Sequence, residues 1–384
     1  MEIIFFTSIA ILIYTYIGYG VLTKLITLFL PKQKLPELQD EDYPQLTHII
    51  AAFNEESIIA DKISNCAFLD YPKDKVRTII VTDGSNDNTA SIVRNDPRVE
   101  HFHQSQRNGK LAAVNRVIEA IQTDIIVFSD ANTELNESAL KNLTKHFQNN
   151  RVGAVAGEKK VISSQNDDAS ASGEGIYWKY ESWLKKIDYK LHSVVGAAGE
   201  LFAVRYHLYE APDSNLLIED FITSMRIAQE GYRIAYAPDA VASEHSSASI
   251  AEESKRKIRI SAGGLQAVYH LREMLNPFKY GVLTFQYFSH RVLRWTAAPL
   301  AIMFAFITNA LLVGQSSFYL FFMCAQASFY LLAFVGYVLQ TKRIKLKIAF
   351  VPFYFSFMNL SVYLGAIKLL NGNYSVIWDK AERK

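Results

Sequence analysis

Two cysteines in 384 residues, Cys66 and Cys324, are too few for a disulfide framework, and one falls in a polar part of the chain and the other in an apolar run, so they do not meet. An excess of one charge is missing too. Lys and Arg number 40 against 38 for Asp and Glu, which leaves no electrostatic basis for holding nucleic acid. No basic cluster precedes the first apolar run, where Glu2 is the sole charge, so that run reads as a retained anchor rather than a cleaved signal peptide. Histidines at metal-ligand spacing are lacking as well; His101 and His103 have no suitable partners and read as surface residues.

What the chain has in quantity is apolar sequence, 50% of its residues, with uncharged runs gathered at the two ends. Residues 3–30, broken by little but small or hydroxylated residues and Lys24, are long enough to cross a hydrocarbon layer of about 30 Å. An N-terminal transmembrane helix is therefore expected over 1–31, and Lys24, Lys32 and Lys34 at its far end place the next domain in the cytoplasm. Residues 295–313, 318–339 and 348–370 form a second transmembrane region over 295–371, followed by a basic tail, 372–384. Three crossings put the lysine-rich loop 341–347 inside and the tail outside. Either the last segment, with Pro352 and Asn359, is re-entrant, or the tail is translocated against its charge. Residues 275–294, aromatic with Lys279, Arg291 and Arg294, read as an amphipathic helix among lipid headgroups. The pattern is that of an integral protein of the plasma (inner) membrane with a cytoplasmic domain.

Between 43 and 267, strands and helices alternate. Residues 47–53 read as a buried strand stopping at Asn54-Glu55-Glu56-Ser57, which caps a helix reaching about Leu69. Residues 76–81 stop at Thr82-Asp83-Gly84-Ser85, and 125–130 stop at Asp130-Ala131-Asn132 after a helix over 111–121. Such alternation predicts an α/β domain on a mainly parallel sheet, with ligands bound at the carboxyl ends of its strands, where each polar cluster falls. A hard divalent cation takes only one or two protein oxygens and leaves the rest to water and phosphate, so Asp130 and Asn132 suffice to hold Mg²⁺ or Mn²⁺ on a diphosphate. Lys110, after Gly109, is a flexible cation able to reach that group. Glu219-Asp220 follow an apolar run and precede a helix over 222–230; one of them can act as a base, and repulsion with partial burial should raise one pKa.

In order along the chain, Ala51-Ala52-Phe53-Asn54-Glu55-Glu56, Val81 to Thr89, Arg107-Asn108-Gly109-Lys110, Ser129-Asp130-Ala131-Asn132 and Glu219-Asp220 resemble the motifs of membrane-integrated family 2 glycosyltransferases. This group includes the cellulose, chitin, hyaluronan and poly-N-acetylglucosamine synthases. The resemblance implies a GT-A domain over 43–267, Rossmann-like and flanked by transmembrane helices. It implies nucleotide-sugar binding by Ala52, Asn54, Glu55, Asp83, Lys110, Asp130, Arg256 and Arg259. Asp83 would accept the imide N–H of uracil, Asp130 and Asn132 would hold the cation, and Asp220 would be the base, oriented by Glu219. The chain departs from the family pattern at Thr82, where an acid is usual, and at Asn132, where a second Asp is commoner. In the region of the Q-x-x-R-W motif Arg259 matches, Arg256 stands in place of Gln, and Ile260 replaces the Trp that stacks on the acceptor. Residues 175–183 resemble an aromatic acceptor-side helix and 195–205 a glycine-rich acceptor loop, which implies acceptor binding by Trp178, Gly199 and Glu200.

The expected reaction is inverting transfer from a UDP-sugar to a growing β-linked exopolysaccharide by single displacement. Transfer of one sugar to a lipid-linked acceptor is the alternative that Ile260 favours, and a silent nucleotide-sugar- or glycan-binding membrane protein is a second. Expected partners are the donor, a glycan or lipid-linked acceptor and membrane lipids. A homo-oligomer or export partner would complete a path that four segments are few to build.

Overall fold

The structure, a computed structural model, describes residues 1–31, 35–162, 169–213, 215–245, 249–341 and 346–372. Lys32, Lys34, most of the 341–347 loop and the tail beyond 372, on which the expected orientation rests, lie outside the described residues.

The polar clusters end strands because the apolar runs before them pair into one sheet. Its strands are β1 (Leu46–Ala52), β2 (Val76–Asp83), β3 (Glu100–Gln104), β4 (Ile125–Asp130), β5 (Glu134–Leu135), β6 (Val152–Ile162), β7 (Leu201–Arg205) and β8 (Arg233–His245), in spatial order β3-β2-β1-β4-β7-β6-β8-β5. The first four are mutually parallel, with Ala51 opposite both Val81 and Asp130. β7 runs antiparallel to β4 and β6, while β6 and β8 are parallel. The chain order reverses beside β1, so the crevice for a ligand opens at the carboxyl ends of β1 and β4, as expected of a doubly wound sheet.

Helices Lys110–Ile118 and Glu219–Gln229 bury Val114, Val117, Ile222 and Met225 against Ile49, Ile79 and Phe128 of this sheet. The same core continues through Ala267, Leu271, Met274, Leu283, Tyr287 and Val292, so the domain's packing extends well past residue 267. His48, fully buried on β1, bonds Ser129 on β4 at 2.8 Å, and burial draws its pKa down to about 3.

The stretch expected as one amphipathic helix is three short helices and a π turn; Lys279 is exposed, whereas its two arginines turn inward. Arg291 and Arg294 pair with buried Glu181 on the helix Ala169–Leu191, at 3.1 and 2.5 Å, rather than facing outward as headgroup anchors would. Phe278 and Val282 keep an exposed apolar side. Glu2–Leu28, Ser317–Gln340 and Ile348–Leu370 are each long and apolar enough to cross a membrane. The 16-residue helix Ala297–Leu312 reaches that length only with Val282–Trp295, around a 52° bend at Thr296. The break therefore falls at Thr296, and the helix Lys347–Leu370 runs on through Pro352. Gly20 packs on Trp183 and Gly365 on the backbone of Ile258 and Ala262, which fixes the first and last of these helices to the domain.

Candidate active site

The loops after β1 and β2 are laced together by their own polar side chains. Asn54, at φ +54°, accepts from the Asn86 N–H at 3.0 Å; the Glu55 N–H donates to Thr89 at 2.8 Å, and Glu56 accepts from Asn88 at 2.9 Å. Asx-type bonds of this kind are why Asn, Asp and Thr cluster at such turns. Gly84 has φ +70°, and a Cβ there would lie 2.6 Å from the Arg107 backbone nitrogen, so the second and third loops cross at a contact only glycine allows. Arg107 in turn lies 3.7 Å over the Phe53 ring.

Asp83, buried at the end of β2, accepts from the Asn108 and Gly109 N–H groups at 2.9 and 2.6 Å and from Arg116 at 2.9 Å. It thereby fixes the start of the helix whose first residue is Lys110. Arg116, which shares that helix, was not singled out from sequence, because one arginine in a helical run looks like any solvated residue.

Lys110 gathers the acids. Its Nζ lies 2.5 Å from Asp130 and 4.0 Å from Glu219, and these carboxylates raise its pKa against the opposing effect of burial. A Cβ on Gly199 would stand 3.1 Å from Asp220 Oδ2 and 3.2 Å from Lys110 Nζ, so backbone presses directly on the pair. Burial and the neighbouring Glu219 push the Asp220 carboxyl up to about 7, with Lys110 opposing. Glu200 behaves oppositely: burial works against its charge, yet Lys159, 2.6 Å away, holds it well below the usual carboxylate range.

A cavity of about 800 Å³ opens from these groups toward the membrane helices. Lys110, Asp130, Gly199, Glu200, Glu219 and Asp220 form its polar end, and Tyr16, Phe350, Tyr354, Phe355 and Met358 its apolar end. Trp178, Arg256 and Arg259 also line it. Arg259 donates to the Leu217 carbonyl at 3.1 Å, and Arg256 pairs with Glu253 at 2.9 Å. Ala52 and Asp83, the last residues of β1 and β2, and Asn54, Glu55 and Asn132, in the loops that follow β1 and β4, are outside the cavity wall. Trp178 has the ammonium groups of Lys159, Lys185 and Lys257 at 4.9, 5.9 and 5.9 Å from its ring. The tryptophan is legible in the sequence and the lysines around it are not, since burial of a lysine on strand β6 or on a helix depends on what packs over it.

Asp130 and Asn132 suit a hard cation. Asp130 already holds one positive charge, the Lys110 ammonium, at its oxygen, and Asn132 offers an amide oxygen two residues on. Among the described residues no three His, Cys, Asp or Glu side chains group around one point, so this site offers only two protein ligands and leaves the others to diphosphate and water.

A mostly parallel sheet with acids, a lysine and a cation-suited triplet at its carboxyl edge defines a glycosyltransferase of the GT-A architecture. The family model described as "Glycosyltransferase like family 2" matches residues 44–263, more than half of the chain, which belongs to that family. The chain is similar to poly-beta-1,6-N-acetyl-D-glucosamine synthase from Staphylococcus aureus, 25% identical over 258 residues, 64% of this chain and 60% of the relative. The enzyme of the same name from Staphylococcus epidermidis is 25% identical over 246 residues, 61% of this chain and 57% of that one. The chain thus spans about 60% of the length of these curated relatives. Among solved structures, a mannosyltransferase from Pyrobaculum calidifontis in complex with GDP-Man and Mn²⁺ superposes with a TM-score of 0.72 at 22% identity, over 97% of this chain and 100% of the other, which shows the shared fold.

Proposed function

We propose that this family 2 glycosyltransferase moves a sugar from a UDP-sugar to a growing β-linked glycan, with inversion, at the cytoplasmic face of the inner membrane. The observation that carries the reading is Asp220: a carboxyl pushed to about 7, opening on the cavity beside Lys110 and Glu219. An acceptor hydroxyl must lose a proton as it attacks, and a base poised near neutrality takes it best. Glu219 adds the negative charge that sustains this basicity. Lys110 and Arg259 offer positive charge to the leaving diphosphate. A Mg²⁺ or Mn²⁺ ion on Asp130 and Asn132 would supply Lewis-acid neutralisation of that same group. Asp83, which already accepts from Asn108, Gly109 and Arg116, keeps one lone pair on Oδ1 for a base edge. The names of the curated relatives support a β-linked amino-sugar polymer, and Asp220, Glu219 and Arg259 lining one cavity argue against a silent binding protein, which needs no base. One observation favours the lipid-linked acceptor: the far end of the cavity is apolar and built from membrane helices.

Nucleotide release measured over a panel of UDP- and GDP-sugars, with the anomeric configuration of the product read by NMR, tests the proposal. Turnover with a UDP-sugar, a β product, and loss of activity on chelation or in Asp130→Ala are expected. Turnover with GDP-sugars alone, an α product, or full activity in excess chelator would each contradict it.

A further inference from the structure

One lysine of the cavity has, among the described residues, no oxygen to donate to. Lys185 lies on the helix Ala169–Leu191, two turns after Trp178 and one after Glu181, on the same face. It is 3% exposed and lines the cavity, and among the described residues its ammonium has no hydrogen-bonded or ion-paired partner. Two ring faces flank it, Trp178 at 5.9 Å and Tyr236 at 5.6 Å. Aromatic faces stabilise a cation but accept none of its three N–H donors, which a ligand in the cavity that Lys185 lines can reach with its oxygens. Lys159 and Lys257 approach the same indole, but Glu200 and Glu244 engage the first and Glu253 the second.

The charges nearby select the ligand's chemistry. The charges whose fields reach Lys185 are Glu158, Glu200, Arg291 and Glu181; Glu200 is paired with Lys159 and Glu181 with Arg291 and Arg294, so the surroundings carry no excess of positive charge to hold a phosphate there. Hydroxyl and amide carbonyl oxygens supply lone pairs and need no such excess. We propose that Lys185 is an acceptor-binding residue, donating to hydroxyl or N-acetyl oxygens of an uncharged sugar unit held near Trp178 on the membrane side of Asp220. The inference rests on the transferase reading of the Glu219–Asp220 site.

The test uses the purified full chain in lipid nanodiscs, with UDP-N-acetylglucosamine as donor and a β-linked N-acetylglucosamine oligosaccharide as acceptor probe. Lys185→Met keeps the length of the side chain and removes its donors; Lys185→Arg keeps a cation. The Met variant should raise KM for the oligosaccharide about tenfold or more, as loss of a charge-assisted hydrogen bond does. Its Kd for UDP should stay within about twofold of the wild type, and the Arg variant should recover part of the loss. Should the Met variant fail that UDP check, Lys185→Gln carries the same comparison. An unchanged acceptor KM with an active wild type overturns the role of Lys185 and leaves the transferase reading standing. Wild-type transfer confined to a polyisoprenyl-phosphate-linked sugar in vesicles overturns the uncharged acceptor, and no transfer from any nucleotide sugar overturns both.

Discussion

As the proposed base, Asp220 sets how the enzyme should respond to pH. In that role it must be ionised, so kcat/KM should fall as pH drops through about 7, reaching about a hundredfold loss two units lower, where a hundredth of the carboxyl is ionised. A stability effect of opposite sense accompanies it. The folded pKa is raised above the ordinary 3.8, so the contribution of this group to stability is full below about 4 and is lost as pH rises through about 7. Thermal melting of Asp220→Asn should therefore exceed that of the wild type at pH 8 and match it at pH 4. At this scale part of the site was legible: Asp83 and Asp130 end apolar runs that are strands, and strand ends are where this fold binds ligands, while Lys110 and Asp220 stand at the starts of helices. Lys185, Glu181 and Arg116 were not legible, because a polar residue inside a helix declares its burial only when its neighbours are known.

Elements hold these residues through close backbone approaches. Gly84 is the sharpest case, with a positive φ and Arg107 backbone within 2.6 Å of any added Cβ. Gly84→Ala should destabilise the domain by about 1–3 kcal/mol, the range for a strained backbone position, and weaken UDP binding in the same variant. Thermal shift with and without UDP separates the two effects. Strands β1, β2 and β4 were legible from uninterrupted apolar runs. β3 was not, since Glu100-His101-Phe102-His103-Gln104 carries one apolar side chain, and His101 and His103 turn out to bond Thr82 at 2.8 and 2.9 Å. β7 was hidden inside what reads as a glycine-rich loop, and its antiparallel insertion between β4 and β6 is a matter of topology that no local pattern reports. The bend at Thr296 escaped for a similar reason: Pro352 advertises a break, whereas nothing in the Thr296 side chain does.

At the scale of the whole molecule, membrane and catalytic parts form one packed body. Tyr19 of the first membrane helix bonds Asp188, and His290 of the bent segment bonds the same carboxylate at 2.6 Å, on the helix that also carries Trp178 and Lys185. The cavity consequently passes from Asp220 to membrane residues without leaving the chain. A path of this kind accommodates a glycan longer than one unit, so excess UDP-sugar should yield products of several residues on size analysis. A single added residue on a lipid acceptor, at any donor excess, would replace the polymer reading with the lipid-linked one.

The central claim is that Asp220 takes the acceptor's proton, and single-turnover transfer by Asp220→Asn tests it most directly. The amide keeps the shape of the side chain and removes only its basicity, so transfer should fall by at least about a thousandfold while the Kd for UDP remains within about twofold of the wild type. Wild-type transfer rates in the Asn variant would contradict the account and place the base elsewhere.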